Sequence, residues 1–212
     1  MIQKSKQNLS PWLHYSACDR PVKKLSEDEQ VEVAITGAGI AGVASAYFLL
    51  KHTSIPRIAL VEARRVAHGA SGHNGGFLAT YFERSFRDLV SEFGLDMASS
   101  GQRDMDSAWD LLDQMIADTH INVPVQKFTG YTAIQTKEQI FAFLEDNRLR
   151  TQGGLPTEPM LISDTQSWLD QIPKKYQPFY TLASHADILA LLQSKDDSYI
   201  GLLQTPKGTA NS

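Results

Sequence analysis

The pattern of apolar positions in the first third of the chain predicts two strands with one helix between them. Residues 31–35 and 57–62 form two short runs rich in apolar and β-branched residues, which predict two buried strands. Between them, nearly every position from Ile40 to Lys51 is apolar or small, which predicts a helix packed on several sides. Strand, glycine turn, helix and strand within about thirty residues predict one βαβ unit with a right-handed crossover.

Helical periodicity returns farther along the chain. From about residue 84 to residue 119, apolar residues recur at helical spacing with charged residues between them. Gly94 and Gly101 predict a break in this region, so we expect two helices. Strand texture follows at residues 123–125 and 130–136.

Two matches to the capping-box pattern predict further helices. The first, at residues 136–139, opens a predicted helix that runs to Gln152 and ends at a Gly-Gly pair. The second, at residues 163–166, opens a predicted short helix that ends before Pro173. The tail, residues 202–212, is rich in Gly, Thr, Asn and Ser, and we expect it to be a loop without a closing element.

Composition narrows the class of protein. The 212 residues are 42% hydrophobic with a net charge of −4, which argues against nucleic acid as a partner. Cys18 is the single cysteine, so no intramolecular disulfide is possible and a reducing compartment is favoured. The polar N-terminus lacks a secretory signal, and residues 40–50 are too few to form a transmembrane segment. We therefore expect a cytoplasmic protein.

The strongest chemical signal is the G-x-G-x-x-G segment Gly37-Ala38-Gly39-Ile40-Ala41-Gly42. It joins a predicted strand to a predicted helix, and Glu62 stands at the end of the next strand. Gly37 permits a tight turn, Gly39 lets the backbone approach a pyrophosphate, and Gly42 allows close packing of helix and strand. The helix N-terminus favours phosphate, and Glu62 can accept hydrogen bonds from a ribose while disfavouring NADP. The segment predicts an adenine dinucleotide site; the alternative is an ordinary glycine-rich turn.

A second glycine-rich stretch directly after Glu62 distinguishes FAD from NAD. A flavin extends beyond the pyrophosphate and needs a second strip of backbone beside it, which an NAD domain does not need. Small residues let the main chain lie close to the pyrophosphate and the ring, and the Ser71 hydroxyl is a candidate donor to a phosphate oxygen. The candidate FAD-binding residues in this part are Glu62, Ala63, Arg64, Ala70, Ser71, Gly72, His73, Asn74 and Gly75.

The segments GAGIAG and EARRVAHGASGHNGG together resemble the D-amino-acid-oxidase-like (DAO) family of FAD-dependent oxidoreductases. That family includes glycine and sarcosine oxidases, D-amino-acid dehydrogenases and γ-glutamylputrescine oxidase. The resemblance is clear over residues 31–80 and loose over residues 81–205. It implies that the first segment lies at the pyrophosphate, that Glu62 lies at the adenosine ribose, and that residues 70–76 run towards the flavin.

The resemblance also implies a fold and a division into domains. The expected fold class is α/β, a Rossmann-like FAD-binding βαβ domain with an incomplete α+β substrate domain. We expect an N-terminal leader at residues 1–30, an FAD-binding domain at residues 31–122 and a partial substrate domain at residues 123–212. Chains of this family usually run well past this length, so we favour a fragment over a deliberately shortened chain or a diverged short protein. We expect the chain alone to be inactive.

His73 poses a separate question within the second stretch. Some relatives in the resembled family carry a histidine in this loop that bonds covalently to the flavin, and a neutral imidazole is nucleophilic enough for such attachment. The preferred interpretation is a polar loop residue near a non-covalent cofactor.

The function that these residues imply is oxidation of an amine or amino acid at its C–N bond, with hydride transfer to the flavin and oxygen or a carrier as electron acceptor. The alternatives are an NAD-linked dehydrogenase domain and a non-catalytic nucleotide-binding remnant. No catalytic residue can be assigned, and the histidines lack metal-ligand spacing, so no metal site is predicted. The aromatic residues just after the second stretch are candidates for a substrate path or for helix core: Tyr81, Phe82 and Phe86.

Overall fold

A computed structural model of the chain describes residue 10, residues 23–119 and residues 125–210. Contacts divide the chain into two compact units, residues 1–76 (unit 1) and residues 77–212 (unit 2). Both units mix helices and strands, so the α/β character is confirmed. The predicted leader lies largely outside the described residues, and the predicted domain bounds stay predictions.

Unit 1 contains a parallel pair of strands joined by a helix. Strand β1 (Val33–Thr36) pairs with β2 (Ile58–Val61) in parallel register, from Val33 opposite Ile58 to Thr36 opposite Val61. Helix α1 (Ile40–His52) connects them and contacts both strands. The predicted order of strand, glycine turn, helix and strand is present, and the segment after β2 contains a short 3₁₀ helix at Ala70–Gly72.

The expectation that α1 is packed on several sides is wrong. No residue of α1 is buried, and Ile40 and Leu50 are 68% and 67% exposed. Strand β1 alternates between half-buried and exposed positions, and in β2 Leu60 is exposed while the other three residues are half-buried, so neither strand is buried throughout. The physical reason is that, in the described part of unit 1, the sheet consists of β1 and β2, and α1 needs only one stripe of its surface to contact them.

Over residues 77–119 and 125–210, unit 2 forms a five-stranded sheet with four α-helices. The strands are β3 (Phe77–Ala79), β4 (Val125–Ile134), β5 (Met160–Ser163), β6 (Thr181–Ala183) and β7 (Gly201–Ala210). The helices are α2 (Phe86–Phe93), α3 (Leu95–Thr119), α4 (Lys137–Gln152) and α5 (His185–Leu192), with 3₁₀ helices at Leu169–Gln171 and Lys174–Phe179.

Strand β7 organises the sheet of unit 2, which corrects the expectation of a terminal loop. It pairs antiparallel with β4 along its whole length, and with β3 and β5 near its two ends. Leu202 and Leu203 are buried in it. The composition of residues 202–212 is typical of a loop, but pairing with β4 at every position from Gly201 to Ala210 overrides that local preference. The last two residues lie outside the described part of the chain.

One of the two predicted capping boxes begins a helix, and the other does not. Thr136 and Gln139 form both reciprocal bonds of the box at the start of α4, which ends at Gln152 as predicted. Ser163 instead ends β5, which pairs with β6 and β7, and a turn follows it. Gly94, with φ of 81°, separates α2 from α3 as expected, whereas Gly101 lies inside α3 and causes no break.

The main core of unit 2 lies between α4 and the sheet. Its fully buried members come from β4, α4 and β5: Ile134, Ile140, Leu144 and Ile162. A second cluster around Phe86 and Leu89 joins α2 to the start of α3. Within the described ranges, no helix is long and apolar enough to cross a bilayer.

We expect the contact at Gly42 to control the folding of unit 1. A Cβ atom at this position would overlap the carbonyl oxygen of Gly37, whereas one at Gly69 would meet no atom within 4 Å. Gly42→Ala should therefore lower the stability of unit 1 by about 1–3 kcal/mol, while Gly69→Ala serves as the matched control. Hydrogen exchange at the amides of β1 and β2 measures the effect. Equal protection in both variants would contradict this expectation.

A carboxylate on α4 makes the stability of unit 2 depend on pH. Glu145 accepts hydrogen bonds from Arg148 Nε and from the Tyr176 hydroxyl, both at 2.8 Å, and these bonds lower its pKa to about 2. Because the folded pKa lies below the ordinary value of 4.5, this stabilisation is complete above pH 4.5 and is lost as the pH falls towards 2.

Glu145→Gln should remove this pH dependence and cost about 1 kcal/mol at neutral pH. Urea unfolding followed at pH 7, 4 and 3 measures it, with Glu83→Gln, an exposed carboxylate in the same unit, as the control. The interpretation fails if Glu145→Gln loses as much stability between pH 7 and pH 3 as the unchanged chain.

Candidate functional site

The glycine turn after β1 has a fixed main-chain conformation. Gly37 adopts φ of 96°, which a residue with a side chain rarely adopts, and its amide donates to the Val61 carbonyl at 2.7 Å. Ala38 is buried, and its carbonyl accepts from the Ala67 amide at 2.9 Å. The turn is therefore held on one side by the end of β2 and on the other by the segment that follows β2.

The Glu62 carboxylate lies against the same turn. Its two oxygens accept from the amides of Ala38, at 3.0 Å, and Arg64, at 2.9 Å. These backbone hydrogen bonds lower the pKa of Glu62, so the group is charged at neutral pH. The side chain is exposed, and an ionised carboxylate has about four acceptor positions, so it can still accept from another donor.

The N-terminus of α1 carries no negative side chain of its own. Its cap, Gly39, provides no side-chain hydrogen bond, and the first turn contains no acidic residue. The amide of Ile40 donates to the Ser71 hydroxyl at 2.9 Å. The amides of Ala41 and Gly42 have no acceptor within the helix, because first-turn amides lack a carbonyl four residues earlier. The helix end is therefore a concentration of positive partial charge.

The second glycine-rich stretch is stabilised by its own hydrogen bonds. The Asn74 side-chain amide donates to the carbonyls of Ala70 and Ser71 at 3.2 and 2.8 Å, and its oxygen accepts from the Gly76 amide at 2.7 Å. The Ser10 hydroxyl donates to the carbonyl of Gly72, which is buried. These bonds fix the loop that presents Ser71 to the start of α1.

The His73 ring is held within this loop. Its Nδ1 lies 3.0 Å from the Gly69 carbonyl oxygen, and its ring packs edge-on against His68 with 5.9 Å between centroids. Since a carbonyl oxygen only accepts, Nδ1 carries the hydrogen in the neutral ring and Nε2 carries the lone pair. Nε2 is therefore the nucleophilic atom of His73.

The structure brings most of the predicted residues of the two segments together. Ala38, Ile40 and Glu62 are joined to each other or to Ser71 through hydrogen bonds, and a Cβ atom at Gly39 would lie 3.0 Å from the Ser71 hydroxyl oxygen. Nine of the fifteen predicted positions are exposed at the surface of this region: Ile40, Ala41, Glu62, Ala63, Arg64, Ala70, His73, Asn74 and Gly75. Arg64 contributes its main-chain amide, which donates to Glu62, whereas its guanidinium takes no part in the hydrogen bonds described above.

Two contributors to this geometry carry no sequence signal. Ala67 donates through its backbone and has φ of 58°, uncommon for a residue with a side chain. Ser10 lies sixty-two positions before its acceptor, Gly72. Main-chain contacts and distant single hydrogen bonds leave no local pattern, so the sequence could not indicate them.

Among the residues that the structure describes, no cluster of three or more His, Cys, Asp or Glu side chains is arranged to hold a metal ion. Of the aromatic candidates, all in unit 2, Phe86 is buried in the core, whereas Tyr81 and Phe82 are 49% and 36% exposed. The alternative of helix core is thus correct for Phe86.

Comparison with known proteins gives matches that each cover only part of the chain. The chain is 37% identical over 110 residues to the protein TDA3 of Saccharomyces cerevisiae, a match covering 50% of this chain and 21% of TDA3. It is 32% identical over 78 residues to gamma-glutamylputrescine oxidoreductase of Escherichia coli, covering 37% of this chain and 18% of that enzyme. A similar match, 32% over 78 residues, joins it to thiamine thiazole synthase of Thermococcus kodakarensis, covering 36% and 30% of the two chains.

These matches span less than a third of each relative, so they do not by themselves assign an activity. The model of the FAD dependent oxidoreductase (DAO) family is more extensive and matches residues 32–193, well over half of the chain. This range contains β1, the glycine turn, Glu62 and the Ser71 loop, together with most of unit 2. The family resemblance of the two glycine-rich segments is therefore confirmed, and the chain belongs to the DAO family of FAD dependent oxidoreductases.

Proposed function

We propose that unit 1 binds FAD and that the protein oxidises an amine or amino acid at its C–N bond. The observation that carries the proposal is the convergence of the α1 N-terminus, the Glu62 carboxylate and the Ser71 loop within one small region. Family membership supports FAD as the dinucleotide. The name of the Escherichia coli relative, gamma-glutamylputrescine oxidoreductase, favours a nitrogen-containing substrate.

The residues of this region fit an adenine dinucleotide. The first-turn amides of Ala41 and Gly42 supply donors and positive partial charge for a pyrophosphate, with no acidic side chain to compete. The missing side chain at Gly39 leaves the main chain open to close approach beside Ser71. Glu62, charged and exposed, is suited to accept from ribose hydroxyls and to repel the extra phosphate of NADP.

The contribution of each segment to the reaction is binding and orientation. FAD supplies a hydride acceptor when bound, which is the chemistry that oxidation of an amine to an imine requires. In the proposed arrangement, the Ser71 loop, stiffened by Asn74, follows the cofactor beyond its pyrophosphate and excludes water from that side. The electron acceptor would be oxygen or an electron carrier.

The proposal predicts that Glu62 determines the affinity for FAD. Glu62→Gln removes the charge and replaces one of the two acceptor oxygens by an NH2 donor, so the Kd for FAD should rise about tenfold or more. Titration of the polypeptide with FAD, followed by quenching of flavin fluorescence, measures it. The control is Glu27→Gln, an exposed carboxylate of the same unit.

Unchanged affinity in Glu62→Gln would contradict the assignment of the ribose site. A purified protein with no absorbance in the flavin region, and with NAD rather than FAD protecting it from thermal unfolding, would favour the NAD-linked alternative. A folded protein that binds neither nucleotide would favour the non-catalytic alternative.

We expect the FAD to be bound without a covalent link. The His73 ring is tied to the Gly69 carbonyl and packs against His68, which favours the role of a polar neighbour. After acid precipitation of the flavin-loaded protein, the yellow colour should remain in the supernatant. A yellow pellet that is lost in His73→Ala and kept in His68→Ala would instead identify a covalent bond to His73.

A further inference from the structure

Asn74 and Gly75 form the one asparagine–glycine pair in the sequence, and each of the other asparagines is followed by a residue that has a side chain. The main-chain nitrogen of a glycine is the least hindered, because glycine has no Cβ atom. Such a nitrogen can attack the Cγ of the preceding asparagine and expel the side-chain amide as ammonia, a reaction called deamidation. The sequence therefore singles out Asn74 for this chemistry.

The structure gives the Asn74 side chain two opposite hydrogen-bonding roles. Its Nδ2 donates to the carbonyls of Ala70 and Ser71 at 3.2 and 2.8 Å. Its Oδ1 accepts from the Gly76 amide at 2.7 Å. An amide supplies a donor and an acceptor at once, whereas a carboxylate supplies acceptors alone. The loop therefore requires the amide of asparagine at this position.

The same bonds oppose the reaction while the Ser71 loop, residues 69–76, is closed. The bond from Gly76 folds the Asn74 side chain back along the Gly75 peptide as an Asx turn. Ring closure requires rotation of the side chain and release of its nitrogen, and the two bonds from Nδ2 oppose both. Asn74 and Gly75 are exposed, so water and base reach them. Opening of the loop is therefore the step that permits the reaction.

Neither product of the reaction fits the closed loop. Aspartate at position 74 places a carboxylate oxygen where Nδ2 faces two carbonyls, so three acceptors meet without a donor. Isoaspartate inserts a side-chain carbon into the main chain before Gly75 and displaces the residues that follow. The loop carries Ser71, whose hydroxyl accepts from the Ile40 amide, so either product also disturbs the start of α1.

We propose that Asn74 is a self-modification site that disables the Ser71 loop once the loop has opened. The Gly75 nitrogen bonds to the Asn74 Cγ, its proton passes to the side-chain nitrogen, the Cγ–Nδ2 bond breaks and ammonia leaves. Water then opens the five-membered succinimide ring at either carbonyl and gives aspartate or isoaspartate. The sum is the exchange of ammonia for water, and no atom is oxidised or reduced.

The reaction needs no cofactor, and its link to the flavin rests on the proposed function. In that function the Ser71 loop follows FAD beyond its pyrophosphate, so bound FAD keeps the loop closed and Asn74 intact. A chain without FAD opens its loop more often, and its modified form carries a new carboxylate that repels the pyrophosphate. Asn74 thus makes prolonged loss of the cofactor irreversible.

Peptide mass spectrometry of the full chain, kept without FAD at mildly alkaline pH, tests the modification. Deamidation of Asn74 should increase with time and should be at least about tenfold faster in urea, which removes the three hydrogen bonds. Asn147, followed by Arg148, is the internal control and should stay intact over the same period. An unmodified Asn74 in urea, or equal rates with and without urea, would overturn the proposal.

Two variants separate the chemistry from its effect on the loop. Gly75→Ala adds a Cβ atom beside the attacking nitrogen, so deamidation of Asn74 in urea should slow at least about tenfold. Asn74→Asp reproduces one product, so hydrogen exchange of residues 69–76, measured without FAD, should become about tenfold faster. Ser54→Asp adds the same charge at another exposed position of unit 1 and should leave this exchange unchanged. Equal exchange in Asn74→Asp and Ser54→Asp would contradict the effect on the loop.

Titration with FAD tests the part that rests on the proposed function. With FAD at about ten times its Kd, the rate of deamidation at Asn74 should fall about tenfold. Asn74→Asp should raise the Kd for FAD at least about tenfold, and Ser54→Asp should not. If FAD binds and the rate of deamidation stays the same, bound FAD does not keep the loop closed and the link is wrong. If the unchanged chain does not bind FAD, the proposed function fails, while the mass spectrometry without FAD still decides the modification.

Discussion

The close approach of α1 to the turn that precedes it is the constraint on which the candidate cofactor site depends. At Gly42 the helix lies so near the Gly37 carbonyl that no side chain fits between them. This approach places the Ile40 amide beside Ser71. The Ala38 amide, in the same turn, donates to Glu62. A Cβ atom at residue 42 would push the helix away from the turn. Because the turn is too short to absorb this shift, all of these contacts would be disturbed together.

The contacts at this turn also order the candidate cofactor site through hydrogen bonds within the chain. Glu62 and Ser71 accept from the amides of Ala38 and Ile40, so hydrogen bonds within the chain join the two segments. The same acceptors retain capacity for another partner, since a carboxylate and a hydroxyl each accept more than one hydrogen bond. Preorganisation of this kind reduces the loss of conformational entropy that binding must offset.

Sequence predicted those elements whose determinants are local. The capping box at Thr136 fixed the start of α4, and the glycine spacing fixed the order of β1, turn and α1. Strand β7 was missed because its determinant is not local. Residues 201–210 form a strand through pairing with β4, whose Val125 lies 85 positions before its partner Ala210. The sequence did not predict the exposed faces of α1, because apolar composition does not indicate how many other elements pack against a helix.

The candidate site in unit 1 and a pocket in unit 2, which residues of β4, β7, α4 and the segment 81–87 line, differ in the same way. The difference explains why only the first was visible in the sequence. The site in unit 1 uses main-chain amides, which require glycine at fixed spacing, and an exposed carboxylate whose pKa is lowered by those amides. The pocket in unit 2 uses side chains from separate strands, a helix and a loop, and carboxylates whose pKa values burial raises. Only the fold brings Arg150, Glu158 and Thr205 together, so no spacing rule reveals them. A glycine pattern in the sequence can therefore predict a site made of main-chain amides. A site made of side chains from distant parts of the chain is recognised only in the tertiary structure.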